Sequence, residues 1–589
     1  MYNSLGVKLD STFHAADVTL TNSTISYFQA PFEVVIPFEI GRFITPYGIG
    51  FDLGPNGFTY VYDVTDYQSL LMGDVDFGAH NTQELIDIKF VFVVGTPPRD
   101  VISVDQLWGG LGSYSYYNLD NDLSLSAATI DPDPAGDMFK LRTRITGHGQ
   151  VGSNACCEWG NGVGRDHEIL IDGTSRFVWE IWRETDCGDN PNIGQGGTWP
   201  YAREGWCPGD KVLDFEFDMT PFVTPGTPAT IDYEIEDIPV SDPAQGGGNY
   251  VISMHMVTYG APNFATDAAI IDVLNPNDWE YYSKWNPTCQ YPRIILKNTG
   301  ANTLTTAEIN IWIGEFGNNV ITYTWNGSLE FLEEEMVEIP ITPEWWNDYL
   351  NVNTFTARVY TANGITDEYA NNNMYTVSFE PSPVINDPFY IWFKTNNKAV
   401  ENDIFLRDED GNVIYSRTTD LTNTTEYKDT MFLPTGCYTV EITDTDHDGL
   451  GFWYSAQVEG ETSGFLRLRK VGGSTLYVFP NDFGHYAKYS FSVGYAVGVD
   501  EQVSPHLFSI YPNPTNGMFT LTLDNFTGDQ IDLEIYNELG EIVYYENIQD
   551  NNPEGYLVKQ ISLEGVKSGI YFVRVVSDNV IHTEKIIIN

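Results

Sequence analysis

Hydrophobic positions along this chain recur mostly with a period of two. Ala307-Glu308-Ile309-Asn310-Ile311-Trp312-Ile313 alternates apolar with polar side chains. Ile88-Lys89-Phe90-Val91-Phe92-Val93-Val94 is a β-branched and aromatic run that stops at Gly95-Thr96-Pro97-Pro98. Successive side chains of a strand point to opposite faces, so both segments are expected as sandwich strands. Capped stretches of helical period are nearly absent, and Asp66 to Leu71, after Val64-Thr65, reads as one helical turn. The fold class expected is all-β.

Gly, Pro and Asn punctuation organises these strands. Val223 to Pro228 and Asp242 to Gly248 are turn-rich, but strand-like residues follow each, so both are expected as loops inside a domain. Asn275-Pro276-Asn277, Pro381-Ser382-Pro383 and Val499 to Ser504 are stronger breaks. They separate a front half from two middle sandwiches (276–380 and 384–497) and a small C-terminal sandwich (505–589), which suits 589 residues at roughly 150 per domain.

Composition narrows the function. Charged residues make up 19%, and 29 basic against 82 acidic side chains leave a net charge of −53. Such a surface repels phosphates, which excludes nucleic-acid binding as the expected role. No window holds the ~18 uncharged apolar residues of a membrane-spanning helix, so the mature chain is expected to be soluble. Met1-Tyr2-Asn3-Ser4-Leu5 lacks the basic and apolar regions of a secretory signal. Cys156, Cys157, Cys187, Cys207, Cys289 and Cys437 fit no paired CxxC zinc pattern and read as disulfides of an oxidising compartment. Cys289 and Cys437 fall in different expected modules, which argues against a bond between them.

The tail carries Phe508-Ser509-Ile510-Tyr511-Pro512-Asn513-Pro514-Thr515-Asn516-Gly517, then Ile535-Tyr536-Asn537-Glu538-Leu539-Gly540, Ser568-Gly569-Ile570-Tyr571-Phe572-Val573-Arg574 and a terminal Lys585-Ile586-Ile587-Ile588-Asn589. It resembles the C-terminal sorting domain of the type IX secretion system of Bacteroidetes. The resemblance implies export across both membranes, with release or attachment at the outer-membrane surface, and the secretion machinery as a partner. It also implies a signal peptide, so the start at Met1 reads as truncated or misassigned.

The front half contains Glu39 to Tyr47, Asp63 to Leu71, Cys156-Cys157-Glu158-Trp159 and Arg203-Glu204-Gly205-Trp206-Cys207-Pro208-Gly209, with Val94 to Pro97 and Leu141 to Gly147 between them. Together these resemble the peptide-N-glycosidase F family. The resemblance implies two adjacent jelly rolls, here 1–99 (incomplete) and 100–270, with a site between them that hydrolyses the link between an N-glycan and asparagine. Amide hydrolysis needs a group that moves a proton and a donor for developing charge. Glu158 falls on the family's essential glutamate and Arg203 on a site arginine, so both are expected to be catalytic. Trp159, His148 and Trp206 are expected to bind substrate, Trp159 by stacking on a sugar face. Cys187 and Cys207 match a disulfide of the family. Cys156 and Cys157 depart from it, because Gly160 stands where the family has a second cysteine, and their pairing stays open. The family's primary catalytic aspartate is not found: the corresponding stretch, Thr21 to Phe28, holds no Asp, Trp or Arg. Glu84 neighbours the place of a further family glutamate without falling on it, and it receives no role.

Two metal readings arise. Met254-His255-Met256 invites copper, but adjacent strand residues face opposite ways and cannot converge on one ion. Asp444-Thr445-Asp446-His447-Asp448-Gly449 has the alternate carboxylates of a calcium loop, so Asp444, Asp446 and Asp448 are candidate calcium ligands, although the closing Glu of an EF-hand is missing and an ordinary acidic turn competes. Residues 276–380, with Pro292 to Gly300, resemble immunoglobulin-type adhesion modules. The resulting expectation is a monomeric, exported glycoamidase acting on N-glycosylated proteins or glycopeptides. It requires no cofactor and has at most a structural calcium. The rival is a non-catalytic surface adhesin or glycan-binding protein that keeps the cleft.

Overall fold

A computed structural model describes residues 3–9, 36–48, 51, 57–79, 85–151, 156–159, 164–238, 247–285, 289–317, 319–342, 345–346, 353–494, 507–524, 530–537, 541–549, 557–563, 565–577 and 580–589. Thr21 to Phe28 and Glu84 lie outside the described residues.

The chain is built of packed antiparallel sheets. In the first, Arg99–Gln106, Asn249–Pro262, Met138–His148 and Phe215–Asp218 lie in that order, and Gly112–Ser115 also pairs with Asn249–Pro262. The second places Ala128–Ile130, Ala229–Ile235, Asp166–Ile171 and Thr174–Glu180 side by side. Alternation in the long strand explains how these layers bury two surfaces. Tyr250, Ile252, Met254 and Met256 enter the core between the sheets, while Val257 and Tyr259 join Tyr67 and Val104 on the opposite face. Phe38, Ile40, Val64 and Leu70 cover that outer face. His255 also lies on the outer side, its Nδ1 2.9 Å from the Tyr67 hydroxyl, so it is separated from both methionines as strand geometry requires.

The helical turn exists, as a 3-10 turn over Thr65–Leu71. It delivers Asp66 into the interior, where its carboxylate meets Lys140 at 2.8 Å, Arg142 at 3.0 Å and the Tyr259 hydroxyl at 2.6 Å. Burial acts to raise this carboxyl, but the two cations and the hydroxyl outweigh it and hold it below its ordinary value.

Ile88–Val94 is not a strand. A strand needs a ladder partner for its backbone, and this segment has none among the described residues; Val91, Val93 and Val94 are 85%, 88% and 93% exposed. By contrast, Leu304–Ile313 is a strand at the centre of a sheet, with Ile309, Ile311 and Ile313 buried.

Ala268–Asn275, which runs up to the Asn275-Pro276-Asn277 break, pairs with Arg293–Asn298. The following module therefore starts upstream of Asn275-Pro276. Its two sheets enclose a core containing Ile294, Ile309, Ile311, Trp346 and Phe355. The next sandwich packs Phe389–Lys394 and its neighbours against Asn402–Arg407, Gly436–Asp444 and Tyr486–Val493. Cys289 and Cys437 are bonded, which corrects the expectation from module membership. Both are buried at the junction of these two sandwiches, with Cα atoms 5.7 Å apart, inside the range a disulfide spans. A last pair of sheets over 507–589 encloses Phe519, Leu533, Val573 and Ile586. Among the described residues no helix is long and apolar enough to cross a membrane.

Candidate active site

The central strand Met138–His148 ends beside Glu158. Gly147 donates its backbone N–H to Glu204 O at 2.9 Å, and Glu204 in turn donates to Glu158 O at 3.1 Å. The N–H groups of Cys157 and Glu158 both reach Gly149 O, and Gln150–Val151 pairs with Cys156–Cys157, whose sulfurs are bonded to each other. The glutamate's main chain is thus clamped from both sides. Glycine at 147 is a steric requirement, since a Cβ there would lie 1.9 Å from Cys157 O.

A second segment carries the arginine. Arg183 N donates to Arg203 O, Gly205 N donates to Ile181 O, and Cys187 is bonded to Cys207, as expected. Gly205 has φ +78°, and a Cβ there would lie 2.2 Å from Ile145 O, so glycine lets this segment press against the central strand.

These two segments bring Arg203 Nε within 3.5 Å of Glu158 Oε1. The guanidinium carbon stands 4.5 Å from the centre of the Trp159 ring, 5.0 Å from Trp206 and 5.6 Å from Tyr47, enclosing the cation in aromatic faces. Burial pulls the arginine below its ordinary value, opposed by Tyr47 and Glu158.

Two of the expected site residues are buried. Arg203 is 0% exposed, and its Nη1 and Nη2 donate to Tyr201 O and to the Thr198 carbonyl and hydroxyl. Those contacts hold it to its own loop, while Nε faces the Glu158 carboxylate. Trp206 is also buried; its indole N–H is bound to Gly147 O at 2.7 Å and its ring stacks on His148 at 5.5 Å. The Arg203 guanidinium also lies against this ring. Glu158 and Trp159 keep part of their surface open.

Behind His148 runs a chain of charges. The His148 Nε2 and Arg42 Nη1 both meet Thr146 Oγ1, at 2.9 and 2.7 Å. Arg42 forms a two-pronged pair with Glu39, which also faces Arg144. Burial, aided by the Arg42 charge, lowers the His148 pKa to about 4, so the ring is neutral at physiological pH. Neighbouring Glu204 is fully buried, and desolvation pushes its carboxyl well above the ordinary range despite the opposing charge of Arg165. Tyr47 and Glu204 lie inside the stretches singled out in the sequence, but nothing in their spacing announced these contacts.

The three aspartates of the acidic loop do not come together as a metal site; among the described residues no group of three His, Cys, Asp or Glu side chains does. Asp444 instead accepts from the backbone N–H groups of Asp446 and Asp448 and from the Asn402 amide, the geometry of an acidic turn. Asp446 turns outward toward Lys398, and Asp448 is bound by the Ser455 hydroxyl.

Residues 117–257 match the family described as "Peptide-N-glycosidase F, C terminal", and residues 509–589 match "Secretion system C-terminal sorting domain". The peptide-N(4)-(N-acetyl-beta-D-glucosaminyl)asparagine amidase F of Elizabethkingia miricola is 33% identical over 189 residues, 30% of this chain and 51% of that protein. This chain thus spans about half the length of that relative. An ulvan lyase of Nonlabens ulvanivorans is 31% identical over 81 residues, 14% of each chain. The structure of the Flavobacterium meningosepticum PNGase F is 24% identical, with a TM-score of 0.28, over 38% of this chain and 73% of that one. The sorting domain marks the protein for type IX secretion and a surface or extracellular location. Residues 117–257, which hold the clamped Glu158, are thus similar to the C-terminal part of peptide-N-glycosidase F, and a type IX sorting domain occupies residues 509–589.

Proposed function

We propose that the protein is an exported glycoamidase that hydrolyses the bond between an N-linked glycan and the asparagine side chain of glycoproteins or glycopeptides. The observation that carries this reading is the partly open Glu158 carboxylate, fixed by its main chain and backed at 3.5 Å by a buried arginine. Cleavage adds water to the side-chain amide carbonyl and expels the glycosylamine nitrogen, which must gain a proton. A carboxyl group held at one place serves as the proton donor or acceptor for those steps. Arg203 keeps Glu158 in position, and the neighbouring Trp159 ring supplies an apolar face for the first sugar.

The test is conversion of a glycosylated asparagine to aspartate, followed by peptide mass. Glu158→Gln keeps the shape of the side chain and is expected to abolish conversion while leaving the unfolding transition intact. Retained conversion by this variant removes Glu158 from the mechanism. A second reading, a glycan-binding protein without hydrolysis, is favoured by the absence of Asp, Trp and Arg from Thr21 to Phe28. Wild-type protein that binds glycopeptide and leaves its asparagine unchanged would establish that reading.

A further inference from the structure

The sandwich over 384–494 touches the loop that carries the arginine's supports. Lys284, in the segment between Ala268–Asn275 and Cys289, donates its ammonium to Gly188 O, and His485 of the sandwich places its Nε2 3.5 Å from Asp189. Ile193 packs against the sandwich core. Tyr201, whose carbonyl holds Arg203 Nη1, places its hydroxyl 3.1 Å from Ser455 Oγ and turns its ring edge-on to Phe452 and Tyr454.

Trp453 lies beside this contact. Its indole N–H donates to Gly197 O at 2.8 Å, yet the side chain remains 46% exposed. Gly197 is the hinge between the two modules' aromatics. A Cβ on it would lie 2.6 Å from Tyr47 Cδ2, so the Tyr47 ring presses against its Cα from the glycosidase side. Tyr47 in turn lies in the aromatic enclosure of Arg203. A continuous path of contacts therefore runs from Glu158 through Arg203, Tyr47 and Gly197 to the partly exposed Trp453. The polar atom of that tryptophan is already satisfied, so what it offers is a flat, oriented apolar surface. Such a surface suits the apolar face of a pyranose ring.

We propose that Trp453 is an outer saccharide subsite: it stacks on a distal sugar of a glycan whose reducing end lies at Glu158, so the second sandwich contributes to substrate recognition. This inference rests on the location of the site given above, but not on its hydrolytic activity. The experiment uses the full chain carrying Glu158→Gln, which prevents turnover. Titration calorimetry compares a glycopeptide bearing a complete branched N-glycan with one bearing a single N-acetylglucosamine. Trp453→Ala is expected to weaken binding of the branched glycan by roughly tenfold and to leave the single sugar unchanged, and Trp453→Phe to restore most of the loss. Trp453→Leu, which keeps apolar bulk against Tyr454, gives the same comparison if the alanine variant does not fold. Equal losses on both ligands would mean that Trp453 only docks the module, and would overturn the proposal, as would unchanged binding of the branched glycan or no binding of either ligand. If the branched glycan binds through Trp453 while wild-type protein converts no asparagine, the subsite stands and hydrolysis falls. Conversion by wild type with no effect of Trp453 on binding gives the reverse.

Discussion

Asp444→Asn is expected to stabilise the protein at neutral pH. Asp444 is 2% exposed, and burial, followed by the charge of Asp448, pushes its pKa up to about 8 from an ordinary value of 3.8. For a carboxyl raised in this way, full stability is present below the unfolded pKa and is lost as pH rises toward the folded one. The wild-type chain therefore loses stability between about pH 4 and about pH 8 at this position, whereas an amide does not titrate. Across the roughly three units from pH 4 to pH 7, at about 1.36 kcal/mol per unit, the limiting gain is about 4 kcal/mol. Relaxation around the half-exposed Asp446 brings the expected value to about 2 kcal/mol. The hydrogen bonds survive the change. The remaining oxygen keeps the two backbone N–H groups, and the buried Asn402 Oδ1, which has no partner, accepts from the new amide once Asn402 turns over. Urea unfolding in EDTA at pH 4 and pH 7 measures the effect. Equal stabilities at pH 4 that diverge in favour of the variant at pH 7 agree with the argument; a variant less stable than wild type at pH 7 refutes it. Repeating the pH 7 titration with calcium tests the ligand reading, since a bound divalent cation would reverse the order.

Further outcomes are specific. Gly147→Ala puts a Cβ into Cys157 O and should cost about 1–3 kcal/mol in denaturant unfolding while reducing glycopeptide conversion, because the clash falls on the backbone that holds Glu158. Replacing both Cys289 and Cys437 by Ala opens a link across 148 positions and should cost about 3–5 kcal/mol, read as a lower midpoint for the two middle sandwiches. The His148 pKa is lowered to about 4, so its contribution to stability is full above the ordinary value of 6.5 and is lost as pH falls from there toward 4; His148→Phe should flatten that acid-side decline in urea midpoints. Deleting residues 509–589 should keep the protein inside the cell envelope, checked by fractionation; undiminished export would refute the sorting role.

Much of the architecture was legible because period-two alternation is a local signal. Ala307 to Ile313 reads as a buried strand from its own side chains, and the structure places it at the centre of a sheet. Ile88 to Val94 carries the same signal and forms no ladder, because propensity does not supply a partner. The candidate site was legible as a set of short stretches, and Glu158, Trp159 and Arg203 do meet. What each residue does there was not legible. Burial of Arg203 and Trp206 depends on carbonyls of Thr198, Tyr201 and Gly147, which no motif reports.

The sequence by itself determined the all-β class, the sorting tail and the identity of the residues around Glu158, since each is written in periodicity or in contiguous motifs, while the Cys187–Cys207 pair was implied by the family resemblance. Only the tertiary structure decided that Cys289 reaches Cys437, that Asp444 caps a turn and that Trp453 stands beside the arginine's loop. Those facts depend on packing between segments far apart in the chain, where burial and hydrogen-bond satisfaction are set by the whole fold and not by neighbours in sequence.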